Sequence, residues 1–138
     1  MAKHNASSLT ISGKRKTAIA KATIKEGVGR ITINKNPYEN LYDFHKLAIK
    51  EPLDIARKVL GDIKFDIDVN VHGGGKESQI QASRLSIAKA IVAFTKSDDL
   101  KKAFSEYDKN LIVADTRRKE VCKPGDSKAR AKRQKSFR

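Results

Sequence analysis

The sequence IKFDIDVNVHGGGKESQIQASRLSIAKAIVAFTK, residues 63–96, contains the two clearest secondary-structure signals of the chain. Its first part alternates apolar with polar residues, and the apolar positions are Ile63, Phe65, Ile67, Val69 and Val71. This alternation predicts a strand with one buried and one solvated face. Gly73, Gly74 and Gly75 end the strand, and the helical spacing of the apolar residues after them predicts a long helix over residues 76–96.

The two sides of this predicted helix differ in the size of their side chains. One side is large and apolar, and we expect it to face the sheet: Ile80, Ile87, Ile91 and Phe94. The other side is small and leaves the backbone nearly bare: Ser78, Ala82, Ser86, Ala90 and Ala93. Small residues allow another surface to come close, although ordinary helix packing is an equally good interpretation.

The residues before this stretch are predicted to form two extended segments and a helix. Residues 9–25 are rich in β-branched residues with a basic kink at 13–16, and residues 30–34 alternate after a glycine-containing turn, which predicts a hairpin. Asn36-Pro37 marks a break, and residues 38–49 are predicted to be irregular with a helical turn or two. A helix is expected to start at Glu51-Pro52 and to end at Gly61. Its apolar stripe would be Pro52, Ile55, Ala56, Val59 and Leu60.

The residues after the long helix predict one more helix and a last strand. Ser97 can cap a short helix whose buried stripe would be Leu100, Ala103, Phe104 and Tyr107. Residues 111–114 are predicted to be a strand or an extended segment. The predicted order is β-β-α-β-α-α-β, an α/β (α+β) sandwich with helices on one face of a mixed sheet. We expect a globular domain over residues 1–115 and a tail over residues 116–138.

The tail, TRRKEVCKPGDSKARAKRQKSFR, contains ten basic residues against Glu120 and Asp126, which is 10 − 2 = +8 of the net charge of +14. Its apolar content is too small to offset the entropy lost on ordering, so in water it should be an extended, self-repelling arm. A polyanion would order it, and the commonest polyanion for such a charge block is nucleic acid. A solvated tail and a localisation signal are the alternatives.

Composition limits the classes of protein that this chain can represent. A single cysteine, Cys122, excludes an intramolecular disulfide and is typical of a reducing compartment. The first residues contain no apolar run of signal-peptide length, and the most apolar stretch, residues 87–94, is too short to span a bilayer. We therefore expect a soluble cytosolic protein without a membrane partner. His4, His45 and His72 lie in different segments without metal-ligand spacing, so no metal or other cofactor is expected.

The sequence offers little support for catalysis. Asp66 and Asp68 share one face of a predicted strand, where carboxylates are far more often solvated than catalytic. The glycine loop could present backbone amides to a phosphate at the helix start. Glu77 occupies the Ser/Thr position of the Walker pattern, so a P-loop is excluded. On spacing alone, a nucleotide site, an RNA phosphate contact and a plain turn would look alike.

Residues 73–91 resemble the signature of the small-subunit ribosomal protein S-nine family at every specified position: the three glycines, Ser78-Gln79, Ala82, Ser86 and Ala88-Lys89-Ala90-Ile91. Residues 13–18, GKRKTA, are similar to the family's N-terminal basic motif. Asp115, Arg117 and Glu120, with residues 128–130 and 134–138, are similar to its C-terminal tail. The ending KSFR resembles the archaeal and eukaryotic branch. Residues 122–127 are shorter than in many relatives, so the path of this loop does not follow from the resemblance.

This resemblance implies a fold, a place and a set of partners. The fold would be that of the second domain of ribosomal protein S-five, with a left-handed crossover. The protein would be a structural component of the small-subunit head in cytoplasmic ribosomes, and not an enzyme. Its partners would be small-subunit rRNA, neighbouring head proteins and the P-site tRNA, whose anticodon stem-loop the tail would reach. A free chromatin or RNA-chaperone protein and a small phosphotransferase using the glycine loop are the competing hypotheses.

The expected contact residues follow from the resemblance together with the charge map. The residues expected at rRNA are Lys14, Arg15, Lys16, Gly73, Gly74, Gly75, Lys76, Arg84, Lys89, Arg117, Arg118, Lys119, Lys123, Lys128, Arg130 and Lys132. Those expected at P-site tRNA are Arg133, Lys135, Phe137 and Arg138, with Arg138 as the terminal phosphate contact. With Phe137 as its only aromatic residue, the tail should recognise backbone and shape instead of base sequence.

Overall fold

Strand β5 (Phe65–His72) occupies the centre of a five-stranded mixed sheet in the computed structural model, which describes residues 8–122 and 129. Its side chains alternate as the sequence predicts. Phe65, Ile67, Val69 and Val71 are buried, whereas Asp68, Asn70 and His72 are exposed on the opposite face. The helices therefore cover one face of the sheet, and the other face is polar.

The other strands are β1 (Leu9–Arg15), β2 (Ala18–Glu26), β3 (Ile31–Ile33) and β4 (Asn36–Pro37), arranged in the order β1-β2-β5-β3-β4. β5 pairs antiparallel with β2 and parallel with β3. The predicted hairpin between the first extended segment and residues 30–34 is therefore wrong, because β5 lies between them. The amides of residues 28–30, which a hairpin turn would have used, bind the carboxylate of Asp66 on β5 instead.

β1 and β2 form a tight hairpin whose turn is Lys16-Thr17, with Arg15 opposite Ala18. The predicted kink at residues 13–16 is wrong, because β1 continues through Gly13 to Arg15. Gly13 is needed for packing: a Cβ there would lie 2.5 Å from the carbonyl oxygen of Ala82 and 2.8 Å from the amide nitrogen of Ser86. The small-residue side of the long helix thus lets β1 come close, which is ordinary packing of a helix on a sheet.

β3 and β4 are joined by Asn34 and Lys35, whose φ angles of 49° and 68° are those of a two-residue hairpin turn with both central residues left-handed. At Asn36-Pro37, where the sequence predicts a break, the chain forms β4, and a 3₁₀ turn follows at Tyr38–Asn40. The side chain of Asn34 holds the turn to β5 by bonding both the amide and the carbonyl of Val71.

Helix α1 spans Asp43–Leu60, so the predicted start at Glu51-Pro52 is wrong by two turns. A proline inside a helix removes one backbone hydrogen bond, but Pro52 is buried in the same stripe as Ile49, Leu53 and Ala56, and this packing holds the helix together across it. Val59 is 42% exposed and does not belong to the stripe. The predicted end is confirmed, because Gly61 has a φ of 79° and donates its N–H to the carbonyl of Arg57.

Helix α2 spans Lys76–Thr95, as predicted, and ends at Lys96 in the left-handed conformation. Both sides contain buried residues, since the helix contacts the sheet and α1: Ile80, Ile87 and Ile91 on the large side, and Ala82, Ser86 and Ala90 on the small side. Helix α3 (Asp98–Tyr107) begins at Ser97, whose hydroxyl accepts the amide of Leu100 as predicted. Leu100 and Phe104 are fully buried, whereas Tyr107 is exposed.

The predicted last strand at residues 111–114 is replaced by a 3₁₀ turn at Lys109–Leu111. The Asp108 carboxylate accepts the amide of Asn110, which starts the turn, and Leu111 is buried against α2 and α3. Leu111 therefore contacts helices instead of a neighbouring strand, and Val113 is exposed. The hand of the β3-α1-β5 crossover and the boundary at residue 115 stay predictions. No helix of the part of the chain described above is long and apolar enough to cross a membrane.

Candidate nucleic-acid interface

The β1–β2 turn carries the first basic segment of the sequence. Lys14 and Lys16 are exposed, and Lys16 adopts a φ of 53° at the turn itself. Arg15 lies between them with its side chain only 18% exposed. This segment therefore presents two ammonium groups to solvent and one guanidinium to the protein.

The glycine loop at residues 73–75 packs directly on this hairpin turn. Gly73 and Gly74 have φ angles of 75° and 67°, and a Cβ on Gly73 would lie 2.6 Å from the carbonyl oxygen of Thr17. Gly75 has open space around it. Packing alone thus explains the first two glycines, and the loop joins the end of β5 and the start of α2 to the basic turn.

The first residues of the tail reach the same place. Arg15, Lys16 and Thr17 line one cleft together with Arg117, Arg118 and Lys119. We call these five cations, with Lys14, the basic corner: Lys14, Arg15, Lys16, Arg117, Arg118 and Lys119. Segments that are about a hundred residues apart in the sequence therefore form one positively charged surface at the end of the sheet.

Asp115 connects the two halves of the basic corner. Its carboxylate accepts a hydrogen bond from Nη1 of Arg15, and it also accepts the backbone N–H of Arg117 at 2.8 Å and Nη2 of Arg117 at 2.7 Å. Arg15 in turn donates Nε to Oε1 of Gln81 on α2 at 2.9 Å. The start of the tail is thereby tied to β1 and α2.

Arg84, expected at rRNA, lies on α2 between two carboxylates. Its guanidinium is 2.5 Å from Oε2 of Glu51 on α1 and 2.9 Å from Oδ2 of Asp108 after α3, and its side chain is 18% exposed. Burial opposes ionisation of Asp108, but the amide of Asn110 and the guanidinium of Arg84 outweigh it and keep the pKa of this carboxyl below its usual value. Arg84 therefore links three helical elements, and a phosphate would have to compete with two carboxylates for it.

Of the other expected residues, Lys76 and Lys89 lie on α2, and the rest fall outside the described residues. Nζ of Lys76 lies 5.9 Å from the ring centre of Tyr42 at the start of α1, and Lys89 is half-buried on α2. The remaining expected contacts fall outside residues 8–122 and 129: Lys123, Lys128, Arg130, Lys132, Arg133, Lys135, Phe137 and Arg138.

Reasoning from the sequence missed the contacts that several acidic side chains make: Asp66, Asp115, Glu51 and Asp108. Asp66 accepts the amides of Val28, Gly29 and Arg30 at 2.8–3.0 Å. The Arg30 amide is the largest cause that lowers the pKa of Asp66; burial opposes it, and the other two amides and Lys25 add to it. Asp115 could have been suspected, because an acid at the start of a block of ten basic residues is unusual. Nothing in the sequence pairs Arg84 with Glu51 and Asp108.

No cluster of three or more metal-binding side chains occurs among the residues whose placement is described. Of the three histidines, His45 bonds Oε1 of Glu77 at 2.7 Å and His72 lies on the exposed face of β5.

Comparison with known proteins identifies the family. The family described as "Ribosomal protein S9/S16" matches residues 13–138. The chain is similar to the "Small ribosomal subunit protein uS9" of Methanococcus maripaludis strain C5, with 50% identity over 129 residues, 91% of this chain and 95% of that protein. It is also similar to the proteins of the same name from Desulfurococcus amylolyticus, with 46% identity over 92% of this chain and 90% of that protein, and from Picrophilus torridus, with 48% identity over 91% and 94%. These relatives are archaeal, in agreement with the archaeal-type ending. The basic corner, the glycine loop and the tail are thus parts of a protein that belongs to the ribosomal protein S9/S16 family.

Proposed function

We propose that this protein binds small-subunit rRNA through the basic corner and through the tail that begins there. As a member of its family it is a structural, non-enzymatic component of the small ribosomal subunit and works in cytoplasmic ribosomes. The observation that carries the proposal is the single cleft lined by Arg15, Lys16 and Thr17 together with Arg117, Arg118 and Lys119. A surface of this kind holds phosphates without reading bases.

The charges of the corner suit a folded RNA backbone. Lys14, Lys16, Arg118 and Lys119 are exposed, so an approaching phosphate can displace their counterions at little cost to the fold. Arginine forks can grip two phosphate oxygens, whereas lysine acts as a point charge. Seven further basic residues follow at positions 123–138, which extends the same binding mode along the chain.

The tail is proposed to continue through rRNA to the P-site tRNA. Arg133, Lys135, Phe137 and Arg138 would meet the anticodon stem-loop, and neighbouring proteins of the head would complete the surroundings. A tip that contacts phosphates would hold every tRNA alike, which a P site requires. Replacing Arg138 by Ala is expected to spare subunit assembly and to weaken retention of P-site tRNA. A failure of assembly would instead make Arg138 an rRNA anchor.

The rRNA proposal is tested by a matched pair of triple variants. One changes Lys16, Arg118 and Lys119 to Gln. The other changes to Gln three exposed lysines that do not belong to the basic corner, Lys50, Lys58 and Lys101. Both lower the net charge by three. Binding to the isolated rRNA of the subunit head should weaken much more for the corner variant than for the control. Equal losses would mean that net charge, and not the corner, determines binding.

A further inference from the structure

Asp115 is an acid inside the surface that we propose for RNA, where a carboxylate repels phosphate. Its side chain is nonetheless only 13% exposed and is held by several hydrogen bonds. Four donor groups converge on it: Nη1 of Arg15 and the backbone N–H, Nε and Nη2 of Arg117. Because the charge of Asp115 opposes phosphate binding, its contacts point to a role in holding the protein's own residues in place.

The bond to the Arg117 amide is an Asx turn, in which a side-chain oxygen accepts the N–H two residues later and fixes the direction of the chain. Arg15 anchors that turn to the globule, because its Nε bonds Gln81 on α2 while its Nη1 bonds Asp115. Arg118 adds a bond from Nη1 to the carbonyl of Asp115 at 3.2 Å. The first residues of the tail thus leave the globule in one direction, across the β1–β2 turn.

We propose that Asp115 is a positioning residue for RNA binding: with Arg15 it forms a latch that aims the tail before any RNA is bound. This inference rests on the proposed function, since it concerns how that surface is made ready. A latched tail loses less conformational entropy on binding than a free one, because its first residues are already ordered. The latch also brings Arg118 and Lys119 beside Lys16, so that one cleft holds both sets of charges.

The latch predicts that Asp115→Asn weakens rRNA binding, whereas the change in net charge alone predicts tighter binding. Asp115→Asn raises the net charge by one, and this change by itself favours RNA binding. Because Asn can still form the Asx turn, the variant removes mainly the ionic contacts with the two arginines. We expect its affinity for rRNA of the subunit head to fall by about threefold to tenfold at moderate salt. Asp115→Ala, which loses the turn as well, should fall further.

Glu106→Gln is the matched control, because Glu106 is exposed on α3 and the change also raises the net charge by one. It should bind rRNA as tightly as the natural protein or slightly more tightly. Tryptic cleavage after Arg117, Arg118 and Lys119 in the full-length free protein gives a readout that does not involve RNA. Asp115→Asn should speed this cleavage several-fold, and Glu106→Gln should leave it unchanged.

The outcomes separate the latch from the proposed function. Unchanged or tighter rRNA binding by Asp115→Asn, or unchanged cleavage, would overturn the latch while leaving rRNA binding intact. If the natural protein itself fails to bind head rRNA, the proposed function is wrong, and the cleavage rates alone still decide whether the latch exists. Should Asp115→Asn fail to fold, Arg15→Lys makes the same prediction for tryptic cleavage without a change of charge, since lysine cannot hold Gln81 and Asp115 in the same geometry. Its rRNA affinity does not test the latch, because Arg15 itself belongs to the basic corner.

Discussion

Gly73 and Gly74 show how single residues determine whether the corner can form. Both have positive φ angles, and both lie against the turn that carries the basic residues, Gly73 on the carbonyl of Thr17 and Gly74 on Ala18. On sequence spacing alone, these three glycines are equally compatible with a nucleotide site, an RNA phosphate contact and a plain turn. The contacts show that two of them are required for packing and that Gly75 is not.

Gly73→Ala is expected to lower the free energy of unfolding by about 2 kcal/mol or more, because the new Cβ would combine a disfavoured φ with a contact of 2.6 Å to backbone. Gly75→Ala is the control, since its Cβ would meet nothing within 4 Å, and it should change stability by less than about 0.5 kcal/mol. Urea unfolding followed by circular dichroism measures both. Equal effects would contradict the packing role of Gly73.

The lowered pKa of the Asp66 carboxyl predicts that stability depends on pH. The Arg30 amide is the largest cause of its lowered pKa, with burial opposing and the amides of Gly29 and Val28 assisting. A carboxyl whose pKa is lower in the folded state stabilises the fold above its unfolded pKa, here 3.8, and loses this contribution as pH falls through the folded value.

Asp66→Asn should therefore destabilise the protein at pH 7, and the difference from the natural protein should shrink as pH falls from about 5 towards 2. Asp108, whose pKa is also lowered, is present in both proteins and cancels in the difference. Midpoints of urea unfolding across this pH range measure the effect. A difference in stability that stays constant with pH would show that the charge of the Asp66 carboxylate does not stabilise the fold.

At the scale of elements, Arg84 joins α2 to α1 through Glu51 and to the end of α3 through Asp108. Such a half-buried cluster is costly to break, because removal of the cation leaves two carboxylates without their partner. This arrangement favours a role in holding the helices over a role in contacting RNA.

Arg84→Ala is accordingly expected to cost about 1–3 kcal/mol of stability. Its effect on rRNA affinity, measured where the variant remains folded, should be small. Lys89→Ala is the comparison for the loss of stability. Lys89 is half-buried on the same helix and has no ion pair among the contacts of residues 8–122. A large loss of rRNA affinity with little loss of stability would make Arg84 an RNA contact after all.

The elements also show what could be predicted from the sequence. β5 and α2 were predicted because long, regular periodicity and glycine boundaries determine them locally. The pairing of β3 with β5 could not be predicted from local sequence. The amides of residues 28–30 bind Asp66 on β5 instead of closing a hairpin, and Asp66 lies 36 residues from Arg30 in the sequence. The early start of α1 was missed because Pro52 normally marks a first turn, and only burial against the core explains its position inside the helix.

At the scale of the molecule, the basic segments of the site were found from sequence, but their convergence was not. Residues 14–16 and 117–119 were each visible as charge runs, whereas their meeting in one cleft depends on the whole fold. Asp115 was missed as a positioning residue because its partners come from opposite ends of the chain. The result is a globule with a polar sheet face and a positive surface at the β1–β2 turn, where the tail begins.

The most direct test of tail binding is the salt dependence of affinity for head rRNA, measured for the full chain and for a chain without residues 123–138. This deletion keeps residues 1–122 with the basic corner and removes seven of the basic residues. The log–log slope of affinity against salt should become shallower by about 0.7–0.9 for each phosphate that the shortened chain no longer neutralises, with a residual slope from the corner. Identical slopes for the two chains would contradict the claim that the tail binds along the rRNA backbone.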